Sequence, residues 1–130
     1  MGEKTILIVD DEPDVLKVLK KGLATGGGYE VLTADNGRDA LRIAHDRHPD
    51  IVILDVLMPD IPGGSVGLTL QEDPETKDIP IIFLSCTFSD RGPHKEGPLF
   101  AGHIRLAKPY DMGELLEAVR LRLEKKAVHK

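Results

Sequence analysis

Cysteine is almost missing: the chain holds one, Cys86, so no intramolecular disulfide can form, and no C-x-x-C pair suggests a structural zinc. Cys86 is most simply read as a small buried residue, since nothing adjacent pairs it with a histidine base. Such usage fits a reducing cytoplasm. Long apolar runs are missing too. The longest, Ile51 to Leu54 and Ile79 to Leu84, fall far short of a membrane span, and Met1-Gly2-Glu3-Lys4 opens without the apolar stretch of a secretion signal. The expectation is a soluble, cytoplasmic protein with no membrane partner. Blocks of positive charge are absent as well. Acidic residues outnumber basic ones by 22 to 17, giving a net charge of −5, and no basic stripe is interleaved with aromatics; nucleic-acid binding by this chain alone is not expected. No internal repeat or low-complexity segment interrupts the 130 residues, of which 41% are hydrophobic. That length suits one domain, and size scaling lets it bury roughly two-thirds of its unfolded surface without staples.

What the sequence does contain is an alternation of two periodicities. Thr5 to Val9 is a continuously apolar, β-branched run that stops at Asp10 and Asp11, as a strand covered on both faces would. Pro13 suits a first helical turn, and Val15, Leu16, Leu19 and Leu23 recur at helical spacing until Gly26, Gly27 and Gly28 are expected to stop the helix. Tyr29 to Ala34 reads as a second strand and Asn36-Gly37 as a turn. Ala40, Leu41 and Ala44 then mark a helix ending near Pro49. A third strand, Ile51 to Leu54, again runs into an aspartate, Asp55. A weaker helix signal follows through Val66 and Leu70, with Gly67 counting against it. Pro80 to Leu84 and Ile104 to Ala107 complete five strands, and Leu115, Leu116, Val119 and Leu123 define the last helix. Strands separated by helical crossovers require a parallel sheet with helices on both faces, an α/β doubly wound fold. Between Ser85 and His103 the alternation breaks: Gly92, Pro93, Gly97 and Pro98 predict an irregular fourth helix.

In an open parallel sheet, ligands gather beyond the carboxyl ends of the strands. The polar residues follow that rule. Asp10 and Asp11 end the first strand, Asp55 the third and Ser85 the fourth, while Lys108 follows the fifth. Three crowded carboxylates call for a cation, and an all-oxygen set suits Mg²⁺. A carboxylate flanked by a metal ion and a lysine is also what phosphoryl transfer to an aspartate needs, with the Ser85 hydroxyl able to donate to a phosphoryl oxygen. Taken singly, each residue has a plainer role: Asp11 as a helix cap, Ser85 as a turn hydroxyl, Lys108 as a solvated charge. Their joint occurrence at four strand ends favours the site. The five histidines, His45, His48, His94, His103 and His129, show no metal-ligand spacing and are expected at the surface.

From Ile6 to about Leu123 the chain resembles the receiver domains of two-component response regulators. The resemblance rests on Ile-Leu-Ile-Val-Asp-Asp-Glu-Pro (6 to 13), Asp-Ile-Val-Ile-Leu-Asp-Val-Leu-Met-Pro-Asp-Ile-Pro-Gly (50 to 63), Asp-Ile-Pro-Ile-Ile-Phe-Leu-Ser (78 to 85) and Lys-Pro-Tyr (108 to 110). It implies a flavodoxin-like five-stranded sheet in the order 2-1-3-4-5, filling a single receiver domain over residues 1–130 with a core of about 4–124 and a short C-terminal tail. It implies Asp55 as phosphoacceptor, and Asp10, Asp11 and Asp55 with the backbone carbonyl of Leu57 as Mg²⁺ ligands. Ser85 takes the place of the hydroxyl that bonds the phosphoryl group, and Lys108 that of the family's lysine, whose bond to Pro109 is typically cis. The implied partners are a sensor histidine kinase or phosphotransfer protein and a downstream effector, with a homodimer allowed. Self-catalysed phosphorylation and dephosphorylation are implied rather than turnover of an external substrate.

Three positions depart from the family pattern. Arg105 stands where an aromatic is usual, Cys86 where alanine is usual, and glycines and prolines fill the fourth helical segment. All three fall on the face that receivers use to report their state. One alternative is therefore an interaction module that works without phosphorylation. A second is an aspartyl-phosphate phosphatase, although an enzyme of the haloacid dehalogenase type wants an aspartate two residues after its nucleophile, where Leu57 stands here. With no output domain after Lys130, the chain is expected to be either a stand-alone regulator or an excised module.

Overall fold

Short apolar runs rich in β-branched residues form three of the five strands, while Glu30–Ala34 and Ile104–Ala107 mix polar with apolar residues, and proline or glycine marks many of the boundaries. The structure is a computed structural model that describes residues 4–55, 61, 63–85, 104–107 and 112–128. In chain order the elements are β1 (Thr5–Val9), α1 (Pro13–Gly27), β2 (Glu30–Ala34), α2 (Gly37–Arg47), β3 (Ile51–Asp55), α3 (Gly63–Glu72), β4 (Ile81–Ser85), β5 (Ile104–Ala107) and α4 (Met112–Val128). The five strands form one parallel sheet in the order β2-β1-β3-β4-β5. The expected irregular helix between Ser85 and His103 lies outside the described residues.

The sheet divides the core in two. Ile6, Ile8, Ile51, Ile53, Ile82 and Leu84 point to one side, where Leu19 and Leu23 of α1 and Leu115 and Val119 of α4 cover them. Alternate residues Leu7, Val9, Val52, Leu54, Ile81 and Phe83 point to the other, against Ala40 and Ala44 of α2 and Val66 and Leu70 of α3. Residues Ile6 to Val9 and Ile51 to Leu54 have no exposed surface, which is why these strands read as unbroken apolar runs rather than alternating ones.

Several boundaries differ from the sequence expectation. α1 runs through Gly26 and Gly27 and ends only at Gly28, whose left-handed backbone (φ 71°) aims its amide at the Ala24 carbonyl, 3.0 Å away. Gly22 and Gly26 face α4, where a Cβ on either would press on the flexible end of Met112 or Leu116. Asn36-Gly37 is a helix start rather than a free turn. The Asn36 side chain accepts a hydrogen bond from the Asp39 amide at 2.8 Å and caps α2. β2 begins at Glu30, one residue later than expected, and β4 is displaced by one residue to Ile81–Ser85. Pro80 has no amide to give the ladder, but its carbonyl accepts from Val52 at 3.0 Å. In α3, Gly67 lies where a Cβ would come within 2.7 Å of the Phe83 ring, so a poor helix former is held there by close approach to the sheet.

Candidate functional site

Strand register alone brings two of the aspartates together. Val9 of β1 pairs with Leu54 of β3, so Asp10 and Asp55, each the next residue along, emerge side by side at the carboxyl edge. Asp55 is itself in register with Leu84 of β4. By strand alternation Asp10 and Asp55 share the α1/α4 side of the sheet with Ile8 and Ile53.

Local hydrogen bonds fix the first of them. The Asp10 amide donates to the Ala34 carbonyl of β2 at 3.1 Å, while its Oδ1 accepts from the Glu12 amide at 3.0 Å, an Asx turn that swings the chain out of β1 into α1. Asp11 does not cap the helix. The cap position belongs to Glu12, which makes no side-chain capping bond, and Pro13 occupies the first turn. The role of the Glu12 amide is the feature that sequence reading missed. Its signal was present in the Asp-x-Glu spacing ahead of a proline, because aspartate readily bonds the amide two residues on.

Asp10 is 1% exposed and Asp55 6%, whereas Asp11 is exposed to solvent. One carboxylate oxygen from each lies within 4.8 Å of the others. At such a distance the two buried carboxylates, Asp10 and Asp55, repel by about 3 kcal/mol at an effective dielectric constant near 20, while water screens the exposed Asp11. A cation between them reverses the sign of that contribution. Oxygens on one octahedral Mg²⁺ lie about 2.9 Å apart when adjacent and about 4.2 Å when opposite, given Mg–O distances of about 2.0–2.1 Å. A small inward movement of the three side chains therefore suffices. Among the described residues three carboxylates meet at a solvent edge, a donor set that would suit Mg²⁺, which keeps several waters, better than Ca²⁺, which takes six to eight oxygen ligands. Ser85 ends β4, its backbone in register with Ala107 of β5, the residue before Lys108 in the chain. The Ser85 side chain, Leu57, Cys86, Lys108, the Lys108–Pro109 bond and the Arg105 side chain lie outside what the structure describes.

Comparison with known proteins agrees with this arrangement. Residues 6–120 match the family model of the response regulator receiver domain. The chain belongs to that family. Receiver domains are the signalling domains of two-component systems rather than conventional enzymes, and they take phosphate from histidine kinases. Among curated relatives, a probable transcriptional regulator, ycf27 of Galdieria sulphuraria, is 39% identical over 118 residues, covering 91% of this chain and 44% of that protein. The transcriptional regulatory protein PrrA of Mycobacterium tuberculosis is 37% identical over 123 residues, covering 93% and 50%. The chain thus spans about half the length of the curated relatives it matches. Among solved structures, a response regulator from Chloroflexus aurantiacus superposes with a TM-score of 0.84 at 34% identity, covering 95% of this receiver domain and 99% of that chain. The receiver domain of a sensor histidine kinase from Pseudomonas aeruginosa gives 0.84 at 27% identity, covering 95% and 99%, and holds a magnesium ion in its active-site cleft. In the receiver domain described here, no described helix is long and apolar enough to cross a membrane.

Proposed function

We propose that Asp55 is the phosphoacceptor of a cytoplasmic signalling domain, charged by the phosphohistidine of a sensor histidine kinase or a phosphotransfer protein. The observation that carries this reading is the meeting of Asp10, Asp11 and Asp55 within 4.8 Å at the carboxyl edge of the sheet. An oxygen of Asp55 attacks phosphorus, the bond from phosphorus to the donor's imidazole nitrogen breaks, and that nitrogen keeps the electron pair. Asp10 and Asp11 hold Mg²⁺ together with Asp55 and the Leu57 carbonyl. The ion supplies positive charge beside the phosphoryl oxygens. Lys108 offsets the remaining negative charge, and Ser85 donates a hydrogen bond to a phosphoryl oxygen. Buried Asp10 orients the site through the Glu12 amide, while exposed Asp11 faces the solvent from which the ion and donor arrive. The new charge on Asp55 then alters the connections that follow β3 and β4, and with them the binding of a downstream effector.

Intact-mass measurement after incubation with acetyl phosphate tests the assignment. One phosphoryl group per chain is expected, only with Mg²⁺ present, and none on an Asp55→Ala variant. Equal incorporation by that variant would refute it. A wild-type chain that takes up nothing, yet binds its effector unchanged, would favour the phosphorylation-independent module.

A further inference from the structure

Glycine is a poor choice for the middle of a helix, yet α1 carries one at Gly22, well inside both of its ends. The reason lies on α4. A Cβ at Gly22 would fall on the Met112 methyl and within 2.8 Å of the Met112 sulfur and 3.2 Å of its Cγ, so the missing side chain leaves a seat that Met112 fills. Met112 is half-buried, packs on the core between the two helices and the sheet, and is the first residue of α4. In the chain, residues 108 to 111 separate it from Ala107, the last residue of β5, whose backbone is in register with Ser85. The residues that bound Lys108 and its neighbours are thus each fixed, Ala107 by the sheet and Met112 by α1. In turn, α1 starts directly behind the Asp10–Glu12 turn. A second pair repeats the arrangement one turn on: a Cβ at Gly26 would lie 2.9 Å from Cδ1 of Leu116, further along the chain from Lys108.

We propose that Gly22 and Met112 are positioning residues for phosphoryl transfer, which set where the connection bearing Lys108 ends relative to the carboxylates ahead of α1. The inference rests on the roles of Asp55 and Lys108 proposed above. A connection this short has few torsions with which to absorb a displacement of its far end, so a shift of Met112 is passed on to Lys108. Lys108 acts in the transfer itself, by offsetting charge on the phosphoryl oxygens, whereas the three carboxylates of the metal site belong to β1, β3 and the turn behind β1. Unseating Met112 therefore slows transfer and leaves Mg²⁺ binding alone. Because the methionine side chain is flexible, a Cβ at Gly22 displaces it instead of breaking the fold, and the better helix propensity of alanine offsets the lost packing. Stability and transfer rate thus part company at this contact.

The test compares initial rates of phosphoryl uptake from acetyl phosphate by the full chain at saturating Mg²⁺, read by intact mass, with melting temperature and Mg²⁺ affinity measured on the same proteins. Gly22→Ala and Met112→Ala should each slow uptake about fivefold or more, with Mg²⁺ affinity unchanged. Gly22→Ala should melt close to the wild type. Met112→Leu, which refills the seat with a side chain of similar volume, should keep the wild-type rate. The double variant Gly22→Ala, Met112→Ala should be no slower than Met112→Ala alone, because with the methionine gone the new methyl displaces nothing. Gly26→Ala presses on Leu116 one turn away and should leave the rate as it was. Wild-type uptake by Gly22→Ala, full additivity in the double variant, a fall in Mg²⁺ affinity, or equal slowing by Gly26→Ala would each overturn the inference while leaving Asp55 as phosphoacceptor. A wild-type chain that takes up nothing would overturn both.

Discussion

The two ends of β3 carry the same residue type in opposite roles. Asp50, just before the strand, accepts the Thr5 amide on its Oδ2 at 2.8 Å and donates its own amide to the Thr5 carbonyl at 2.8 Å, clipping the start of β3 to the start of β1. Asp55, five residues later in the chain, stands among two further carboxylates. At Asp50 the backbone itself supplies the complementary dipole, and the side chain is structural. At Asp55 two further carboxylates come close enough for the three to share a metal ion. The two carboxylates differ in how many like charges lie close by, as well as in burial.

Substitutions along this axis can break the contrast. The largest effect is expected at the crowded end: Asp55→Asn should abolish phosphoryl uptake and, by removing like-charge repulsion, raise the Mg²⁺-free stability by about 1–3 kcal/mol in chemical denaturation. A destabilised variant would mean that Asp55 is held by the chain much as Asp50 is. Asp11→Ala removes an exposed carboxylate and should leave the melting temperature unchanged while weakening Mg²⁺ between about tenfold and a hundredfold in a metal titration. At the quiet end, Asp50→Ala should cost about 1–1.5 kcal/mol through the lost bond to the Thr5 amide, with Mg²⁺ affinity and phosphoryl uptake unaffected. Altered Mg²⁺ affinity there would show that the two edges are coupled. The smallest change is expected for Asn36→Ala, about 1 kcal/mol of lost capping in thermal unfolding with no change in metal binding.

Strand positions and the α/β class were legible because both faces of the sheet are covered, so the inner strands β1, β3 and β4 are apolar runs that end where the chain leaves the core. Asp10 and Asp55 were legible for the same reason: a charge directly after such a run has to lie at a sheet edge. Helix ends were harder to read. Local propensity stops α1 at Gly26, but the helix continues through Gly26, which lies close to Leu116, and only the left-handed Gly28 closes it. Gly67 misleads in the same way, since its need for space beside Phe83 belongs to tertiary structure and leaves no local trace.

The register of Val9 with Leu54 also bears on how freely such a chain can change. Asp10 and Asp55 hang from adjacent strands with no exposed surface, so their separation is set by the sheet and not by any connection. Insertions or rewritten segments between the elements leave that spacing where it was. A lineage can therefore redraw its outward loops repeatedly, recruiting new listeners, while the spacing of the two aspartates is inherited intact.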